Sequence, residues 1–184
     1  MLRYILLIVL LPTTIISFAQ DDLYGGKEKK TKSGRCKFVQ NELDRFTGLK
    51  TVKVRAGQIT LTNEGGFYYF EATIDVINLV GNSRNLIIRK DDPFYVAFGD
   101  GGSLKLNAVG DSEQIAGSLS VVIIVRCALT REQFQYFLNS PVIAYRAKVE
   151  GQISGRQTEK EFTTQTINKS VSAAECVRDV VESQ

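Results

Sequence analysis

The longest clean alternation in the chain runs from Phe67 to Ile77. Tyr68, Phe70, Ala72, Ile74 and Val76 fall on one face. Glu71, Thr73 and Asp75 fall on the other, together with Phe67, Tyr69 and Ile77. A period of two with one apolar set marks a strand that turns one face to a core. Leu119 to Leu129 repeats the pattern, with Leu119, Val121, Ile123, Val125, Cys127 and Leu129 in step. Its second face carries Val122, Ile124 and Ala128, so this strand is expected to be central, with the Cys127 thiol inert inside the core.

Shorter runs follow the same logic. Lys50 to Leu61 is rich in Val, Thr and Ile and predicts one strand, with Gly57 as a bulge or bend. Phe94–Phe98 and Ser103–Val109 flank Gly99-Asp100-Gly101-Gly102, a hairpin signal. Pro141 to Val149 sets Ile143, Tyr145, Ala147 and Val149 on one face. The polar, Thr-rich stretch from Ile153 to Ile167 predicts an edge hairpin beginning after Gly151.

Two segments change period. Thr130-Arg131-Glu132-Gln133 has the form of a capping box, and Phe134, Phe137 and Leu138 continue it as a helical stripe that Asn139-Ser140-Pro141 stops. This is a crossover helix between two long strands. Ala173, Ala174, Val177, Val180 and Val181 recur at helical spacing, so a C-terminal helix beginning near Ser170 or Ser172 should dock by that face. The sum is a mainly β fold over residues 36–184: an antiparallel β-sandwich with a short crossover helix and a C-terminal helix. A β-barrel is the competing closure.

The N-terminus obeys a different pattern. Arg3 precedes an unbroken apolar run from Tyr4 to Leu11, and Ser17 and Ala19 are small residues at positions a signal peptidase reads. Residues 1–19 therefore read as a signal peptide, which predicts a periplasmic or extracellular protein with no stable membrane insertion once it is removed. Residues 20–35 lack apolar periodicity and contain Lys27, Lys29, Lys30 and Lys32, and read as a flexible basic linker.

Composition narrows the chemistry. A formal charge of +3 gives no electrostatic case for nucleic acid. The absence of His excludes Ser-His-Asp and Cys-His catalysis, imidazole metal sites and an imidazole pH switch. The absence of Trp weakens a sugar-stacking role. In an oxidising compartment two of the three cysteines can pair, and a Cys36–Cys176 bridge would tie the two ends together with about 4–5 kcal/mol of chain-entropy stabilisation. The alternative is three unpaired thiols, each a small buried hydrophobe.

Asn41-Glu42-Leu43-Asp44-Arg45-Phe46-Thr47-Gly48 and the run Leu129-Thr130-Arg131-Glu132-Gln133 through Pro141-Val142 together resemble small exported β-sandwich proteins of Bacteroidota-type bacteria. Those proteins have a Phe-Thr-Gly turn near the start and a short helix before a late strand. The resemblance implies fold and source and supplies no site residues. On its own chemistry, Asp44 to Gly48 reads as a turn.

Candidate sites are few. Asp91, Asp92 and Asp100 could hold calcium, but their spacing is not that of a dedicated loop, and the two groups should lie at opposite ends of one strand. Glu71 and Asp75 share a strand face and could form a hydrolytic carboxylate pair if a cleft covered them. No phosphate-loop or cofactor motif is present, and no cofactor is implied. Phe67 and Tyr69 stand on the polar face of their strand, which implies either cover by the C-terminal helix or a loop, or a partner-binding surface. The reading that follows is a non-enzymatic exported domain that binds a protein or cell-envelope component. A small carboxylate-based hydrolase, or a ligand- or calcium-binding domain, is the alternative.

Overall fold

A computed structural model describes residues 36–77, 86–116, 120–150 and 155–183. Residues 1–19 and 20–35, read from the sequence as a signal peptide and a basic linker, lie outside the described residues.

Ten strands form two antiparallel sheets. In chain order they are β1 (Phe38–Leu43), β2 (Lys50–Ala56), β3 (Ile59–Glu64), β4 (Phe67–Ile77), β5 (Pro93–Phe98), β6 (Ser103–Asn107), β7 (Glu113–Ala116), β8 (Ser120–Leu129), β9 (Val142–Glu150) and β10 (Gly155–Glu161). The larger sheet has the order β1-β2-β3-β4-β8-β7 and the smaller β10-β9-β5-β6. Neither closes into a barrel, so the fold is the expected sandwich. Helix α1 (Arg131–Asn139) joins β8 in one sheet to β9 in the other, and α2 (Thr164–Glu182) ends the chain.

The inner face of the larger sheet is set by the alternation read from the sequence. Val52 and Val54 on β2, Leu61 on β3, Phe70, Ala72 and Ile74 on β4, and Ile123, Val125 and Cys127 on β8 are buried. The smaller sheet covers the β4–β8 half. Phe70 meets Phe94 of β5 at 5.9 Å between ring centroids, and Phe137 of α1 fills in beside Phe70 at 5.4 Å and Phe98 at 5.2 Å. Helix α2 covers the β2–β3 half. Its contact face is built from Ala173, Ala174 and Val177, small side chains that allow close approach to the sheet.

Two buried hydroxyls pin α2 to both sheets. Thr166 Oγ1 accepts from the Gln58 N–H at 2.9 Å, and Ser170 Oγ accepts from the Val142 N–H at 3.1 Å. A disulfide joins Cys176 of α2 to Cys36, just ahead of β1, and Cys127 is free and buried.

Four expectations are corrected. Lys50 to Leu61 is not one strand: Gly57, at φ +62°, and Gln58 turn the chain back, and β2 pairs with β3. The stretch after Gly151 supplies the single edge strand β10, and α2 begins at Thr164, well before Ser170, because Thr163 caps it by accepting from the Thr166 N–H. The C-terminal helix does not cover Phe67 and Tyr69. It lies on the opposite, inner face, where its Ala and Val stripe finds apolar partners.

Candidate functional site

The outer face of β4 holds both aromatic residues singled out in the sequence, in different settings. Tyr69 lies beneath a guanidinium: the Arg126 charge sits 3.9 Å above its ring centroid. Arg126 reaches Tyr69 because β4 and β8 are neighbours and Glu71 is its direct partner in register. Its Nη2 lies 2.8 Å from Glu64 Oε2, and its Nε lies 3.6 Å from Glu71 Oε1. Lys53 approaches the same Glu64 at 3.9 Å. Thr62, paired in register with Lys53 and Tyr69, is fully buried on this face, so the surrounding side chains close over it. Tyr69 thus has an intramolecular partner, and such a contact is worth about 0.5–2 kcal/mol, rising as the guanidinium is desolvated.

Phe67 is placed differently. It is 71% exposed at the start of β4, where the sheet ends in two adjacent turns. One is the Gly65-Gly66 turn between β3 and β4, with both glycines at positive φ. The other is Asp44–Leu49, between β1 and β2. The Gly65 N–H donates to the Lys50 carbonyl at 2.9 Å, and Leu49 packs against Gly65 so closely that a Cβ there would lie 2.9 Å from Leu49 Cδ2.

The Asp44 turn is locked by its own backbone. Asp44 Oδ1 accepts from the Phe46 N–H at 2.7 Å and from the Thr47 N–H at 3.1 Å. The Gly48 N–H donates to the Asp44 carbonyl, and the Asp44 N–H donates to the Leu49 carbonyl. The backbone donors of Thr47 and Phe46 hold the Asp44 carboxyl below its usual range. At the tip Phe46 is 100% exposed, and Leu43 and Leu49 on either side are 63% and 54% exposed. This end of the larger sheet therefore displays Leu43, Phe46, Leu49 and Phe67. Sequence reasoning found Phe67 and missed the other three. The available signal was the Asx turn itself: a residue between Asp44 and Gly48 in so tight a turn has no core to enter.

Beside this tip runs an open groove of about 550 Å³ between the start of β4, the start of α1 and the end of α2. Tyr68, Leu129, Phe134 and Val181 supply its apolar lining, and Arg131, Arg178 and Glu182 its charged groups. Tyr68 stacks on Phe134 with centroids 4.2 Å apart. Phe67 belongs to both groove and tip.

The carboxylates singled out earlier do not converge. Glu71 is paired with Arg126, and Asp75 is exposed further along the same open sheet face. Asp91-Asp92 and Asp100 lie at opposite ends of β5, with Asp92 accepting from the Arg89 N–H and Asp100 from the Gly102 N–H. Among the described residues no group of three or more acidic or Cys side chains is placed to hold a metal ion. No helix among them is long and apolar enough to cross a membrane. No protein-family model, curated protein or solved structure matches the chain.

Proposed function

We propose that this chain is an exported, non-enzymatic binding domain that engages a protein or another cell-envelope component through the turns at the β1–β2 and β3–β4 end of its larger sheet. The observation that carries the reading is Phe46: a wholly exposed aromatic side chain on a turn whose backbone is fixed by four hydrogen bonds to and from Asp44. An aromatic side chain on a fixed backbone has only two torsions to immobilise on docking and removes roughly 150–250 Å² from solvent. Such residues dominate interface energetics. Leu43, Leu49 and Phe67 extend the same apolar end.

Export is part of the proposal. The N-terminal apolar run supports it, and a disulfide and the lack of a spanning helix among the described residues are compatible with it. The test is an affinity capture from envelope and secreted extract of the source organism, with the protein as bait. A saturable partner that is lost on Phe46→Asp or Phe67→Asp, with circular dichroism unchanged, would support the reading. A partner unaffected by both substitutions, or none at all, would refute the assignment of this surface.

A further inference from the structure

The apolar end of the larger sheet protrudes as two turns. Leu43, Phe46 and Leu49 belong to one and Phe67 to the other, and all four are more than half exposed. A protein partner must offer such a tip a matching pocket, whereas a fluid bilayer surface closes around it without one. The polar groups at this end are already matched, which is what a water-poor medium demands. The N–H groups of Asp44, Phe46, Thr47, Gly48 and Leu49 all donate within their own turn, and the Asp44 carboxylate takes two of them. In the neighbouring turn the Gly65 N–H donates to the Lys50 carbonyl and the Gly66 N–H to Asn63 Oδ1. Glu64, opposite Phe67 in register, is balanced by Arg126 at 2.8 Å and Lys53 at 3.9 Å. Glu42 accepts from Gln40 Nε2 at 3.5 Å and lies one row inward, opposite Thr51. Arg45 is exposed in the turn, and its long stem lets the charge stay at headgroup level.

We infer that this tip inserts reversibly into the headgroup–acyl boundary of a phospholipid bilayer, with Phe46 deepest. The inference rests on the binding-domain reading and names the cell-envelope component it engages. Depth supports it. Tyr69 lies two residues along β4 from Phe67, which at about 3.3 Å per residue is roughly 7 Å. An interfacial anchor buries its apolar groups about 5–10 Å into that boundary. Such a depth submerges Leu43, Phe46, Leu49 and Phe67 and leaves Tyr69, under the Arg126 guanidinium, at headgroup level, where tyrosine is favoured. The attachment is peripheral: no helix among the described residues is long and apolar enough to cross a membrane.

The chain contains no Trp, so Phe46→Trp gives a single local reporter. The full chain is exported and processed by a bacterial host, so that the N-terminal apolar run does not itself bind lipid, and is titrated with vesicles of phosphatidylcholine and phosphatidylethanolamine. Emission from Phe46→Trp should shift to the blue and be quenched by lipid brominated on the upper acyl chain. Emission from Tyr95→Trp, on the outer face of the smaller sheet, should not change. Phe46→Asp should lower co-sedimentation with the vesicles about tenfold or more, with circular dichroism unchanged. Salt at about 1 M, where the Debye length is about 3 Å, should leave binding of the parent in place, because apolar burial drives it. An unshifted Phe46→Trp, an equal shift in Tyr95→Trp, or undiminished sedimentation of Phe46→Asp would overturn the inference. So would binding abolished by salt, which would assign adsorption to Lys27, Lys29, Lys30 and Lys32 instead. Affinity capture separates the two levels. An envelope protein retained through Phe46, without vesicle binding, sinks the bilayer inference alone and leaves the tip reading standing.

Discussion

Removing the Cys36–Cys176 bridge should be the most informative single perturbation of stability. The two residues are 140 apart in sequence, so the bond closes nearly the whole described domain into one loop. In the chain-entropy account a loop of that length restricts the unfolded ensemble by about 5 kcal/mol. For a domain of this size each kcal/mol moves the melting temperature by about 2–4 °C, so the Cys36→Ala/Cys176→Ala variant should melt about 10–20 °C lower. Native contacts survive the change. Ala173, Ala174 and Val177 still dock α2, and the Thr166 and Ser170 hydroxyls still accept from β2–β3 and β9. The loss should therefore be a shift in stability with the fold retained. Urea unfolding at pH 6, followed by far-UV circular dichroism, separates this account from a packing defect, and the mildly acidic pH keeps the Cys127 thiol from exchanging once unfolding frees it. The midpoint should fall while the slope against urea rises, because an uncrosslinked chain exposes more surface on unfolding. A variant with unchanged midpoint, or one in which the midpoint falls with no change in slope, would refute the entropic argument.

Phe137→Ala should cost about 3–5 kcal/mol in the same assay, since this fully buried ring from α1 fills the space between Phe70 of one sheet and Phe98 of the other. Gly57→Ala should cost more than the ~1–2 kcal/mol of a left-handed residue, because its Cβ would fall 2.3 Å from Thr166 Oγ1 and 3.2 Å from the helix backbone there. Thr166→Ala in the same chain should recover part of that loss, which a double-mutant cycle in urea measures. The protein should lose stability in alkali. Burial pushes the Tyr145 phenol up to about 12 from 10, with a smaller push from Asp75, and burial pushes the Cys127 thiol up to about 12 from 9. Both groups hold their protons more tightly folded than unfolded, so their contribution is complete below about pH 9 and is lost as pH rises towards 12. Tyr145→Phe should flatten the upper part of that decline, and an unchanged pH profile in the variant would count against the assignment.

The elements legible in the sequence are those whose local pattern and tertiary role agree. β4 and β8 read correctly because one face of each meets the core and the alternation is long. The Thr130 capping box read correctly because both halves form, with the Gln133 N–H donating to Thr130 Oγ1 at 3.1 Å and the Thr130 N–H to Gln133 Oε1 at 2.9 Å. The division of Lys50–Glu64 into β2 and β3 was written in a shift of phase. Val52, Val54 and Ala56 are buried at even positions, and Ile59 and Leu61 at odd ones, which a single strand cannot do without a bulge. The first turns of α2 defeat local reading because Thr164, Thr166 and Ile167 favour strands. The helix forms there because Thr166 is buried against the Gln58 backbone and Gln58 Oε1 accepts from the Thr163 N–H, both partners more than a hundred residues away. β1 and β7 are short edge strands whose pairing alone defines them.

The site divides along the same line. Phe67 was legible because an apolar residue out of phase with its strand has to be explained. Tyr69 was out of phase too, yet its explanation, the Arg126 guanidinium above the ring, sits on β8 and becomes visible only when β4 and β8 are paired. Phe46 carried no periodicity to violate. Its exposure follows from the closure of the Asp44 turn, and that closure is a statement about Asp44, Gly48 and Leu49 before it is one about Phe46. Asp44 and Gly48 fix the shape of the turn, and what that shape displays is an aromatic ring wholly outside the core. The exposure of Phe46 is thus legible from the closed turn, and the surface proposed around it rests on that closure and not on any periodicity.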